Sequence, residues 1–204
     1  MRDTSIHFPG PLQVGLVLLM LCTSITIHTS TAHAQDKSAT IQEVSYIAPN
    51  TLAQMLQSSD LVARVRITDA KQNFVGPADS GIFSELTATV VEPYKAKPTV
   101  TPVATGAPIR ILQEGGEAQV GNKRLRIVAD FERLGKGKEY VLFLTWSKPV
   151  NAYQVNYGPD GAFEIARGNK LRAVGKSTPA QEQTGVDVAA FQEKLQQTLA
   201  AQTR

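Results

Sequence analysis

The stretch Leu61-Val62-Ala63-Arg64-Val65-Arg66-Ile67 decides the fold class. Ala63, Val65 and Ile67 fall on one side of an extended chain and Arg64 and Arg66 on the other. That period of two predicts a strand with one buried and one wet face. Working outward, residues 69–81 carry Asp, Asn, Gly, Pro and Ser and read as a loop. A second strand follows from about Ile82 to Tyr94, where Leu86, Ala88 and Val90 alternate with Thr87 and Thr89. Residues 95–108 hold three prolines and read as an extended surface linker. Ile109–Leu112 is a third, short strand, and Gly115-Gly116 a permissive loop. Leu125, Ile127, Ala129 and Phe131 define a fourth strand with Arg124 and Arg126 turned outward. Glu139–Trp146 is apolar on both faces, which predicts the central, most buried strand. A hairpin is expected next, with Tyr153, Val155 and Tyr157 inward, a turn at Gly158-Pro159-Asp160-Gly161, and a return through Phe163 and Ile165. Leu171–Val174 supplies one last short strand.

Helical spacing appears only at the two ends of this series. Asn50 or Thr51 caps a short helix carrying Leu52, Met55 and Leu56, stopped by Ser58-Ser59-Asp60. Asp187 caps an amphipathic helix to Gln202, with Val188, Phe191, Leu195 and Leu199 in one stripe and Phe191 expected over the open end of the barrel. The fold class that follows is all-β and mainly antiparallel. It is an OB-like β-barrel over residues 59–175, preceded by an arm and short helix over 35–58 and followed by a linker and C-terminal amphipathic helix over 176–204. A β-sandwich is the alternative.

Residues 1–34 read as a signal peptide. Arg2 precedes an apolar run from Leu12 to Cys22, and Ala32-His33-Ala34 before Gln35 supplies the small side chains that signal peptidase requires. The run is shorter than a spanning helix and interrupted by Gln13, so no transmembrane span is expected after cleavage. The expected location is the periplasm or the extracellular space.

This leader carries all three histidines (His7, His28, His33) and the only cysteine, Cys22. Cleavage therefore leaves a domain without imidazole or thiol. Ser-His-Asp and Cys-His catalysis, zinc sites built on those ligands, iron–sulfur clusters and disulfides are excluded for it. Carboxylates do stand close in sequence, Glu114 with Glu117 and Asp130 with Glu132, and read as solvated surface groups. The expectation is a protein that is not an enzyme and carries no cofactor or metal.

The net charge of +3 survives cleavage, because Arg2 and Asp3 leave together. Arg64 and Arg66 share one strand face, as do Arg124 and Arg126. If those strands are neighbours, the four guanidinium groups form a patch suited to carboxylate, phosphate or sulfate groups. Nucleic acid is not expected, since no stacking aromatics interleave with the arginines.

From about Ser59 to Ile165 the chain resembles small exported bacterial domains. The resemblance lies in Ser-Asp-Leu-Val-Ala-Arg-Val at 59–65, Val90-Val91-Glu92-Pro93-Tyr94-Lys95, and Gly135-Lys136-Gly137-Lys138-Glu139-Tyr140-Val141-Leu142-Phe143-Leu144. The first two segments also resemble the netrin-like domains of tissue inhibitors of metalloproteases, which are OB-type barrels. The resemblance implies the barrel. It does not carry the inhibitory chemistry, because those inhibitors present an N-terminal cysteine to the protease zinc and are held by disulfides, and no cysteine follows Cys22 here. The functional expectation is an exported, non-catalytic binding or interaction module recognising an anionic polysaccharide, a surface or an extracellular partner protein. Inhibition of an extracellular protease is the alternative.

Overall fold

The computed structural model describes residues 41–43, 46–75, 82–97, 103–120, 123–128 and 132–202. The signal-peptide positions Ala32, Ala34 and Gln35 lie outside them. The described strands are β1 (Ile41–Glu43), β2 (Leu61–Val75), β3 (Ile82–Ala96), β4 (Pro108–Glu114), β5 (Gly116–Val120), β6 (Lys123–Val128), β7 (Glu139–Ser147), β8 (Ala152–Val155), β9 (Ala162–Ala166) and β10 (Lys170–Ala173). The helices are α1 (Leu52–Ser58), α2 (Thr178–Gln181) and α3 (Val188–Gln202).

Five strands close on themselves in the order β7-β2-β3-β4-β8-β7. β4 and β8 run parallel and every other pair in the ring is antiparallel. This closed five-stranded barrel is consistent with the expected OB-like architecture. Its interior holds the residues that the period of two selected, Ala63, Val65 and Ile67 from β2 and Leu86, Ala88 and Val90 from β3, together with Leu61 from β2, Ile109 and Ile111 from β4, and Tyr140, Leu142 and Leu144 from β7. Leu134, from the segment before β7, packs against this interior. Its backbone N–H donates to the Gln113 side chain at 3.1 Å, and the next one, of Gly135, donates to the Tyr140 hydroxyl at 2.9 Å.

A second core lies outside the barrel wall. Val62, Val141, Phe143 and Phe163 point away from the interior and are covered by α1 and α3, whose Met55, Leu56, Phe191 and Leu195 are buried against them. Phe163 packs against Phe143 and Phe191 at ring-centroid distances of 5.8 and 5.5 Å. Phe191 therefore covers a side wall rather than the open end that the sequence suggested. This explains why β7 is apolar on both faces: one fills the barrel and the other seats α3. Thr51 is the cap of α1, accepting from the Gln54 N–H at 3.1 Å. Lys95 of β3 donates to the carbonyls of Leu56 and Ser59 at its other end.

Four elements differ from the sequence reading. β2 runs to Val75 through positions read as loop, because register shifts at Ile67/Asp69 and Lys71/Asn73 carry its polar residues along β3. Residues after Gly115 form β5 rather than a loop. Gly115 (φ +106) and Gly116 (φ +133) take the backbone through a bend closed to other residues, and the chain leaves the barrel for a separate three-stranded sheet, β1-β6-β5. β8 and β9 form no hairpin: both pair with β7, β8 at Leu144–Ser147 and β9 at Tyr140–Leu142. Residues 156–161 step out between them. Finally, the segment read as a linker before α3 contains α2 and is tied to β10 by backbone hydrogen bonds between Leu171 and residues Gly185 and Val186.

Candidate functional site

Two places on the barrel's outer surface carry chemistry. The first contains the arginines singled out in the sequence. β2 lies between β3 and β7, whereas β6 belongs to the three-stranded sheet, so the two arginine pairs do not sit on adjacent strands. Arg64 and Arg66 instead grip one carboxylate, that of Glu139 on β7. Arg64 donates through Nε at 2.9 Å and Nη2 at 2.6 Å to one oxygen, and Arg66 donates to the other. Burial pushes the Glu139 carboxyl up, but the hydrogen bonds from Arg66 and Arg64 outweigh it and hold the group below the usual glutamate range. The pairing continues across the sheet. Glu164 on β9 accepts from Lys138 at 3.1 Å and from Arg172 on β10, and Glu132 accepts from Arg172 at 2.8 Å and Lys138 at 3.3 Å. Glu164 is in register with Tyr140 and Arg172, so this second cluster lies on the opposite face of the sheet from Glu139, Arg64 and Arg66. Arg126 of β6 stands 3.4 Å from Glu117 of β5. For Arg124, the backbone pairs with Gln119.

The second place is a cavity of about 530 Å³ beside the Phe83 end of β3, the Glu114 end of β4 and β8. Its size falls within the range of small-molecule sites. Phe83 and Leu112 form a small cluster with Ala152 and Val150, and both line the cavity. Pro149 and Val150 form another side, held down by Arg110, which donates to the Val150 carbonyl at 2.6 Å and to Glu85 at 2.7 Å. Gly158 and Pro159, from the step between β8 and β9, complete the rim. Two glycines make that step possible: a Cβ on Gly161 would lie 2.0 Å from the Asn156 carbonyl oxygen, and one on Gly158 would lie 2.6 Å from the Tyr46 ring.

Glu114 is the one charged side chain among the described residues that line this cavity. It occupies the last position of β4, directly before the Gly115 bend, and pairs in register with Phe83. Its Oε2 accepts a hydrogen bond of 3.3 Å from the Tyr46 hydroxyl. Burial first, and the neighbouring Glu114 charge next, raise the Tyr46 phenol well above its ordinary value, so it remains a donor at neutral pH. Among the described residues Glu114 has no cationic partner. Glu85, two residues from Phe83 on the same strand, is by contrast held by Arg110 and Lys71, and the Arg110 hydrogen bond draws its carboxyl below the usual range.

The sequence reading placed Glu114 among solvated carboxylates and did not foresee the cavity. The Gly115-Gly116 pair marks the bend beside Glu114, but the partner that approaches it, Tyr46, lies 68 residues away. No protein-family model matches this chain, and no curated protein matches it.

Proposed function

We propose that the chain is an exported, non-catalytic binding module built on an OB-like barrel, and that its ligand site is the cavity on the β3–β4–β8 wall. The observation that carries this reading is the cavity itself. It is mostly apolar, it is lined by residues of β3, β4, β7 and β8 together with the segments around Tyr46, Leu134, Val150 and Pro159, and it holds a carboxylate without a counter-ion among the described residues. Export rests on the leader, and the lack of catalysis on the absence of His and Cys after residue 34. The netrin-like kinship belongs to the same proposal. It is supported by the strand order of the barrel and limited by the missing cysteines. An anionic glycan on the arginine face has less support, because Arg64 and Arg66 are already engaged by Glu139.

The test is saturable binding of a neutral fluorescent apolar probe, N-phenyl-1-naphthylamine, to the purified protein. Stoichiometric enhancement that is lost in both Val150→Trp and Gln154→Trp, each folded by circular dichroism, supports the site. Binding unchanged in both variants, or no saturable binding, removes it.

A further inference from the structure

The chemistry of the cavity specifies what it takes. Resting on the binding reading above, we infer that the ligand is a small amphipathic cation, with an apolar body and one ammonium or amidinium group that pairs with Glu114. The argument is one of charge and satisfaction. Phe83, Leu112, Val150 and Val155 offer only apolar surface. A hydrocarbon placed there gains by leaving water, in proportion to the area it buries. Glu114 offers the opposite: a carboxylate at the edge of that surface, touched by one phenol at 3.3 Å and otherwise without a partner in the described structure.

A carboxylate beside an apolar wall loses hydration when an apolar body covers it, and only a ligand that donates a charged hydrogen bond restores what is lost. An anionic ligand meets like charge, with no lysine or arginine lining the cavity among the described residues. A neutral apolar ligand covers Glu114 without compensating it. Elsewhere on the same barrel Glu85, Glu139 and Glu164 each have cationic partners within the chain. Glu92 and Asp160 likewise form no ion pair among the described residues, but neither lines the cavity; at Glu114, which does, the missing partner is assigned to the ligand. Tyr46 serves as a positioning residue. Its ring lies against Gly158 and its hydroxyl fixes one carboxylate oxygen, leaving Oε1 to the incoming cation.

The experiment compares hexylammonium, hexanol and hexanoate as competitors of N-phenyl-1-naphthylamine on the full chain at pH 7 and low salt. The three share an apolar chain and differ in charge. The expected result is that hexylammonium competes about tenfold better than hexanol, the size of one charge-assisted hydrogen bond, and that hexanoate is the weakest. Glu114→Gln, which keeps shape and removes charge, should reduce hexylammonium to the level of hexanol and leave hexanol unchanged. Tyr46→Phe should retain the preference for the cation, since the carboxylate remains. Equal competition by hexanol and hexylammonium, or a cation preference that persists in Glu114→Gln, overturns the inference while leaving the binding site intact. Failure of all three to compete overturns both.

Discussion

The barrel has two outer walls, and they are finished differently. On the β2–β7–β9–β10 side, Val62, Val141, Phe143 and Phe163 are roofed by α1 and α3, and beside that roof the Glu139 carboxylate faces both Arg64 and Arg66. On the β3–β4–β8 side, Phe83 and Leu112 are buried with Ala152 and Val150, a cavity of about 530 Å³ opens beside them, and the carboxylate at its edge faces a phenol. The first wall is complete in itself. Its charges look conspicuous in the sequence, yet they satisfy one another. The second wall carries a cavity and, among the described residues, a carboxylate with no cationic partner. A row of arginines therefore indicates less about binding than one glutamate that no described residue pairs with a cation.

The largest effect that would sharpen this contrast is in the cores. Phe163→Ala removes a fully buried ring seated between Phe143 and Phe191 and should cost about 3–5 kcal/mol. Leu112→Ala, at the margin of an existing cavity, should fall near the low end for such truncations, about 2 kcal/mol. Urea unfolding of both measures the difference, and equal losses would mean that the open wall is as tightly packed as the covered one.

A smaller effect is expected from the carboxylates. Glu139→Ala leaves Arg64 and Arg66 side by side without their shared counter-ion. Arg64 is 26 % exposed and Arg66 59 %, so solvent screens much of the loss, and about 1 kcal/mol is expected. Glu114→Gln should change stability by less than about 0.5 kcal/mol, because no cation depends on it. A thermal scan showing Glu114→Gln as the more damaging change would reverse the contrast.

The smallest effect is in the pH dependence. The Glu139 and Glu85 carboxyls are held below their unfolded values in the native state, so each adds stability above an unfolded pKa of about 4.3. That stability is lost as the pH falls through the lower, folded value. The melting temperature of the native protein should therefore drop more steeply from about pH 5 to pH 3 than that of Glu139→Gln. Parallel curves would show that the Glu139 pairing adds nothing.

Local pattern was enough to read the barrel's inner face. Leu61–Ile67 and Leu86–Val90 alternate as a wall with one apolar side must, and β7, apolar on both faces, betrays its second layer. The caps at Thr51 and Asp187 were equally plain, the latter accepting from the Ala189 N–H at 3.0 Å. What stayed hidden depends on distance along the chain. Glu139 lies 75 and 73 residues from the two arginines it holds, and no spacing rule connects them. The bulges that extend β2 into a polar stretch shift the period, so strand reads as loop. Gly158-Pro159-Asp160-Gly161 is a sound turn signal, but whether the flanking strands pair with each other or with a third is a tertiary choice.

The step at residues 156–161 has a consequence for how such a protein diversifies. Because β8 and β9 are separately anchored on β7, the chain leaves the sheet at Asn156, whose N–H donates to the Phe143 carbonyl at 2.8 Å, and returns through a turn pinned by Asp160, which accepts from the Ser177 N–H at 2.9 Å. Gly158 and Pro159 at its crest are also the lip of the opening. Side-chain changes at Pro159 would reshape the aperture while the ladders on β7 stay as they are, so descendants of this gene can acquire new tastes without first learning to fold again.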